Sequence, residues 1–136
     1  VAGALDARTA RVTWVQGEKK TSALFIDLVR AVDATYPSAK RLHFILDNAA
    51  THSRKKTQKA LEALGERLVL HFLPPYCPEG NRIERLWWDV HANVTRNHRC
   101  KKMEALMTEV DAYLDARNTQ KSASLLLRAA SAQRAA

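Results

Sequence analysis

The sequence predicts an α/β domain built on a mixed sheet flanked by helices. Two observations lead there. Short apolar runs of strand length alternate along the chain with longer stretches whose apolar residues recur at helical spacing. Their order is strand, strand, helix, strand, helix, strand, helix, helix, and helices set between strands are the pattern of an α/β sheet. At 136 residues and 46% apolar content the chain can bury the core of one domain.

Val1 to Leu5 is a short apolar strand, and Asp6-Ala-Arg-Thr makes a turn. Arg11 to Gln16 then alternates, with Val12 and Trp14 on one face, so the pair reads as a hairpin over Val1 to Gln16. Thr21 or Ser22 can cap a helix running to about Thr35. Its apolar stripe is Leu24, Phe25, Leu28, Val29 and Val32, and Tyr36-Pro37 ends it. Arg41 to Leu46 is a strand without clean alternation, which predicts cover on both faces. Ser53 can cap the next helix, with Ala60, Leu61 and Leu64 inward and Gly65 as its stop. Arg67 to Phe72 is a further strand, followed by the rigid loop PPYCPEGN. From Arg82 a helix carries Ile83, Leu86, Trp87, Val90 and Val94 on one face. TRNHRCKK interrupts it, and Met103, Leu106, Met107, Val110, Tyr113 and Leu114 mark a last amphipathic helix. Residues 1–118 are read as the domain and 119–136 as an Ala/Ser-rich basic tail, helical or disordered. The chain starts without Met inside an apolar segment, which reads as the middle of a domain.

The 22 Lys and Arg against 14 Asp and Glu leave a net charge of +8, which favours a polyanionic partner. No apolar run approaches membrane-spanning length and no signal peptide is present, so nucleic acid is favoured over a membrane. Cys77, His91, His98 and Cys100 do not match a zinc-finger spacing; two free thiols in a reducing cytosol is the better reading.

Two carboxylates stand at places where chemistry gathers. Asp47 follows the strand LHFIL, and sites in α/β sheets lie beyond the carboxyl ends of strands. Asp-Asn is also a common turn or helix-cap pair. Glu84 closes Asn81-Arg-Ile-Glu, the form of a capping box, and that structural task alone explains it. Trp87 and Trp88 read as core and groove wall rather than as a stacking platform, and the lysines after Ser53 as a solvated face. Together, however, distant carboxylates in a basic protein suit two-metal phosphodiester chemistry, with ions about 3.5–4 Å apart. Magnesium takes carboxylate oxygens and leaves its other positions to water and phosphate.

The stretches LDNAATHSRKK and HFLPPYCPEGNRIERLWWDVHANVTRNHRC, with 36 residues between Asp47 and Glu84, closely resemble the DDE transposases of the bacterial insertion-sequence (IS) 630 and mariner superfamily. The likeness runs from about Val1 to Asn118. It implies an RNase H-like fold and DNA strand cleavage and strand transfer dependent on Mg²⁺ or Mn²⁺. Asp47 matches the second aspartate of the family's triad and Glu84 its third acid, both metal ligands. Asn48, His52 and Asn81 are motif neighbours, and Tyr76 and Pro78 belong to the loop that positions the last motif helix. Arg54, Lys55, Lys56, Lys59, Arg96, Arg99, Lys101 and Lys102 are the expected DNA contacts.

Arg82 stands where the family usually has Pro, and Gly80 where it has Leu. Arg is tolerated at a first helical position, so the first departure costs little. A larger departure is that the first catalytic aspartate of the family lies on a strand before the hairpin that here begins at Val1. Asp6 matches a turn, and Asp27 and Asp33 belong to the first helix. The resemblance therefore implies the C-terminal part of a catalytic domain, a fragment or one product of a split or frameshifted gene, lacking the first strand and inactive alone. The family's end-reading helix-turn-helix is likewise expected upstream. Expected partners are transposon-end and target DNA, the upstream segment, and a second copy in a homodimer, with the protein nucleoid-associated in bacterial cytoplasm. A rival reading is a non-catalytic DNA-binding remnant; a plain α/β domain with fortuitous motifs fits the length of the match worst.

Overall fold

The computed structural model describes residues 1–47, 55–75 and 80–135. They form two compact units, Val1–Ala4 with Thr13–Glu84, and Leu5–Val12 with Arg85–Ala136.

In the first unit, helix α1 spans Ser22–Thr35. It starts where the Thr21 hydroxyl accepts the Leu24 N–H at 3.2 Å, the side-chain cap that the sequence leads one to expect. Leu24, Phe25, Leu28, Val29 and Val32 are buried along one stripe. At its far end the Tyr36 N–H closes on the Val32 and Asp33 carbonyls at 3.2 and 3.3 Å, and the chain then leaves the helix. Arg67 supplies donors there: its guanidinium reaches the carbonyls of Tyr36 at 2.6 Å, of Pro37 at 3.4 Å and of Ala39, and pairs with the Asp33 carboxylate.

Strand β3 (Leu42–Leu46) and strand β4 (Leu68–Phe72) pair in parallel, with Leu42 beside Leu68 and Leu46 beside Phe72. Helix α2 (Lys55–Glu62) lies between them in the chain, as a parallel connection requires. The reversal after α2 passes through Gly65 at φ +60°, a left-handed conformation that a side chain would strain. The core is Phe25, Leu28, Val29, Val32, Phe44 and Leu61, with Leu42, Leu46, Leu64, Leu68 and Leu70 packed against it.

One mixed sheet was expected, with the strand that would join the hairpin to β3 missing from it. Among the described residues there are two two-stranded sheets, a hairpin of β1 (Ala2–Leu5) with β2 (Val12–Val15), and the β3–β4 pair. Ala2, Ala4 and Val15 still pack against the same apolar cluster, so side-chain burial holds what no ladder joins. One expectation is corrected: among the described residues, β3 is covered on one face only. Phe44 is 9% exposed but Ile45 is 58% exposed, because α1 and α2 supply the apolar partners of a single face.

In the second unit, the hairpin turn closes on Asp6, whose carboxylate accepts the N–H groups of Arg8 at 2.8 Å and Thr9 at 3.2 Å. Such Asx geometry is why Asp favours this place. Ala10 is left-handed at φ 58°. Helix α3 spans Ile83–Val90, and a π-helical turn follows over His91–Thr95, where the Arg96 N–H donates five residues back to the His91 carbonyl at 2.8 Å. Helix α4 runs over Met103–Ala135, so the helical backbone continues through most of the expected tail. Leu106, Val110 and Leu114 form its buried seam at four-residue intervals.

Asn118 on α4 does what a neighbouring strand would do. Its amide oxygen accepts the Val12 N–H at 2.8 Å and its NH₂ donates to the Val12 carbonyl at 2.9 Å. Arg117 donates to the Ala10 carbonyl at 3.0 Å. Asn118→Ala is expected to cost about 1–3 kcal/mol, read as a lower urea midpoint, because it orphans both groups of a buried strand residue. Asn118→Asp is expected to destabilise as well, since a carboxylate turns a second oxygen toward the Val12 carbonyl. Wild-type stability in both variants would deny the amide this role.

Candidate active site

Asp47 immediately follows β3 and its residue is exposed. The Leu73 N–H donates to the Leu46 carbonyl at 2.8 Å, extending the ladder one step past β4. Because β3 and β4 are parallel, Asp47 and the segment leaving β4 emerge at the same end of the pair. That is the end at which α/β sheets carry their sites. The segment leads to α3, where Glu84 lies exposed in the first turn. A carboxylate there is favoured by the positive end of the helix dipole. The Glu84 N–H bonds to the main-chain carbonyl of half-buried Asn81 at 3.0 Å, so main-chain contact helps to close this turn.

Asn48, His52, Arg54, Tyr76 and Pro78 lie outside the described residues, as does Ser53, the expected cap. Lys55 and Lys56 open α2, but their side chains lie outside the description too. Lys59 is exposed. Arg96, Arg99, Lys101 and Lys102 are all exposed between the π turn and α4. Side chains tie this basic segment down on both sides. The Tyr113 hydroxyl donates to the Asp89 carboxylate at 2.6 Å, and the Asn93 amide donates to the same carboxylate at 3.0 Å. The bond to Asp89 raises the Tyr113 pKa above the usual phenol value. The Cys100 thiol donates to Glu109 at 3.2 Å, and that bond raises the thiol pKa. Cys100 is a free cysteine, as expected.

Two features escape the sequence patterns. His43 on β3 and His71 on β4 meet with ring nitrogens 3.0 Å apart and ring centres 5.3 Å apart. The rings therefore meet end to end, and one N–H donates to the other ring's lone pair. Both project from the exposed side of the strand pair, where their alternation with core residues could have suggested a shared face. The other feature is Trp88, 75% exposed, whereas Trp87 is half-buried. Core and groove wall were expected of the pair: Trp87 is half-buried, and Trp88 stands on the surface because α3 turns its Leu86 and Val90 inward and Trp88 falls between those two on the outer side.

Among the described residues, no group of three or more His, Cys, Asp or Glu is gathered to hold a metal ion. The oxygen donors of Asp47 and Glu84 have the chemistry that Mg²⁺ and Mn²⁺ prefer. No helix among the described residues is long and apolar enough to cross a membrane.

Residues 1–107 match the DDE superfamily endonuclease family, and the chain belongs to it. It is 39% identical over 115 residues to the "Insertion element IS630 uncharacterized 39 kDa protein" of Shigella sonnei. That match takes in 85% of this chain and 33% of the relative, so the chain spans about a third of the relative's length. The fold is also that of a chain in the cryo-EM structure of a simian T-cell lymphotropic virus intasome in complex with PP2A regulatory subunit B56 gamma. The TM-score is 0.57 at 15% identity, over 78% of this chain and 38% of that one.

Proposed function

We propose that this chain is the C-terminal part of an RNase H-like transposase catalytic domain that cuts and joins DNA strands with Mg²⁺ or Mn²⁺. The observation that carries the reading is the parallel β3–β4 pair, which sends Asp47 and the approach to Glu84 out at one end of a strand pair in a DDE family member. Asp47 and Glu84 would hold the metal, which supplies charge stabilisation for the attacking and leaving oxygens. A third carboxylate would come from a strand preceding Val1, pairing between the hairpin and β3; the unjoined sheets support this. Asn48, His52 and Asn81 would steady the site. The DNA would be transposon ends and target, held by a homodimer of the complete protein in the bacterial cytoplasm at the nucleoid.

Arg96, Arg99, Lys101 and Lys102, with Arg54, Lys55, Lys56 and Lys59, would neutralise DNA phosphates. Binding of this chain to duplex DNA is then expected to be weak, nearly independent of sequence and steeply weakened by salt, through lost counterion release. Each Lys or Arg that meets a phosphate contributes about 0.9 to the slope of log affinity on log salt. Replacing Arg96, Arg99, Lys101 and Lys102 together by Ala should flatten that slope by about 3 to 4 if all four make contact. Affinity indifferent to salt would refute the electrostatic account. Cleavage assays of a longer chain, set out in the Discussion, separate the enzyme from a DNA-binding remnant.

A further inference from the structure

We propose that Trp88 is a stacking platform for an unpaired DNA base, set on the outer face of α3 with Arg85 and His91 beside it. The inference rests on the reading of the chain as a DNA-binding transposase domain. Trp is the largest apolar side chain, and at 75% exposure this one leaves most of its area in water. The helix has no need of it for packing, since Leu86 at 3% and Val90 at 5% exposure already anchor the opposite side.

Its neighbours give the surface its character. Arg85 precedes Trp88 by three residues and His91 follows by three, so both lie on the same helical face, and both are exposed. The acid next to it in sequence, Asp89, is drawn away from that face by bonds from Tyr113 and Asn93. The result is an indole with a guanidinium at hand, and with the Glu84 carboxylate that would hold the metal one turn earlier, in a chain of net charge +8. Charge complementarity selects a polyanion, and an exposed indole selects one that offers flat apolar rings. Nucleic acid offers both.

Paired bases inside a duplex are already stacked on their neighbours. An open base face is found at a strand end, a nick or a single strand, which is where aromatic residues in single-strand binders act. Glu84 lies one turn before Trp88 on α3, on the same helical face by its spacing. A base stacked on Trp88 would thus belong to a nucleotide close to the strand being cut, and the contact would favour DNA whose end has opened.

The test uses the 136-residue chain, a short single-stranded oligonucleotide carrying 2-aminopurine, and the duplex of the same sequence. Stacking quenches 2-aminopurine, so binding of wild type to the single strand should dim it. Trp88→Ala should abolish the quenching and weaken single-strand affinity about 5- to 150-fold, the range for losing one stacked base. Trp88→Phe should keep most of both. Duplex affinity and its salt slope should change less than twofold in either variant, and circular dichroism should match wild type because the side chain is exposed. Undiminished single-strand binding and quenching in Trp88→Ala would overturn the inference while leaving the DNA reading intact. Equal loss on both DNAs, or a change in sedimentation of the free protein, would also overturn it and assign Trp88 to folding or to contact between chains. Absence of any salt-dependent DNA binding by wild type would overturn the DNA reading and this inference together.

Discussion

Asp47→Asn and Glu84→Gln should each reduce metal-dependent DNA cleavage about a thousandfold or more in a chain extended to include the preceding segment. Each change keeps the side-chain shape and removes the charge that would hold the cation, whose electrostatic work would be several kcal/mol of barrier. The 136-residue chain alone is expected to give no Mg²⁺- or Mn²⁺-dependent nicking above background, because two-metal chemistry needs carboxylates at the ions and two are too few. Adding the upstream strand, fused or as a separate chain, should restore nicking. Glu84→Gln is the sharper of the two. Glutamine is as good a helix former and can still serve the first turn of α3, so stability should survive while activity is lost. Full activity in the extended Glu84→Gln protein would reduce Glu84 to a helix-terminal residue. Cleavage by the short chain alone would mean that another acid completes the site.

The largest effect on stability is expected at Leu114. It is 0% exposed and ends the seam of α4 that Leu106 and Val110 begin. Leu114→Ala should lower the unfolding free energy by about 3 kcal/mol, within the usual range of about 2–5 for a buried leucine, through lost burial and the cavity left behind. For a small domain that is a large share of the total. Met103 opens the same helix but is 67% exposed, and Met103→Ala should change stability by under about 0.5 kcal/mol. Urea unfolding followed by circular dichroism reads both. Similar small effects at the two positions would show that α4 is not anchored by this seam.

The local elements were legible because their signals are local. Thr21 before an apolar stripe marked the start of α1, and Gly65 marked the reversal after α2. Asp6 marked the hairpin turn. What tertiary contact decides was not legible. Trp87 and Trp88 are adjacent in sequence, so only helix packing could separate the half-buried ring from the exposed one. Asn118 resembles any polar helix residue until the Val12 backbone stands beside it. In β3 the apolar run suggested cover on both faces, but His43 and Ile45 open one side, and periodicity alone cannot say whether a second layer is present. The ends of the motif were legible as residue types: Asp47 after a strand and Glu84 in a first helical turn both stand where the sequence puts them. The basic residues at 96–102 were legible as charge, but not their anchorage by Tyr113 and Glu109, which lie on a later helix.

The central claim is that Asp47 and Glu84 serve one metal cluster. The direct measurement is a crystal structure of the extended chain with Mn²⁺, whose anomalous signal locates the ions. The account predicts Mn²⁺ bound by oxygens of both Asp47 and Glu84, with a carboxylate from the upstream strand completing the cluster. Carboxylates more than about 10 Å apart, beyond any shared two-metal site, or Mn²⁺ bound elsewhere, would contradict it.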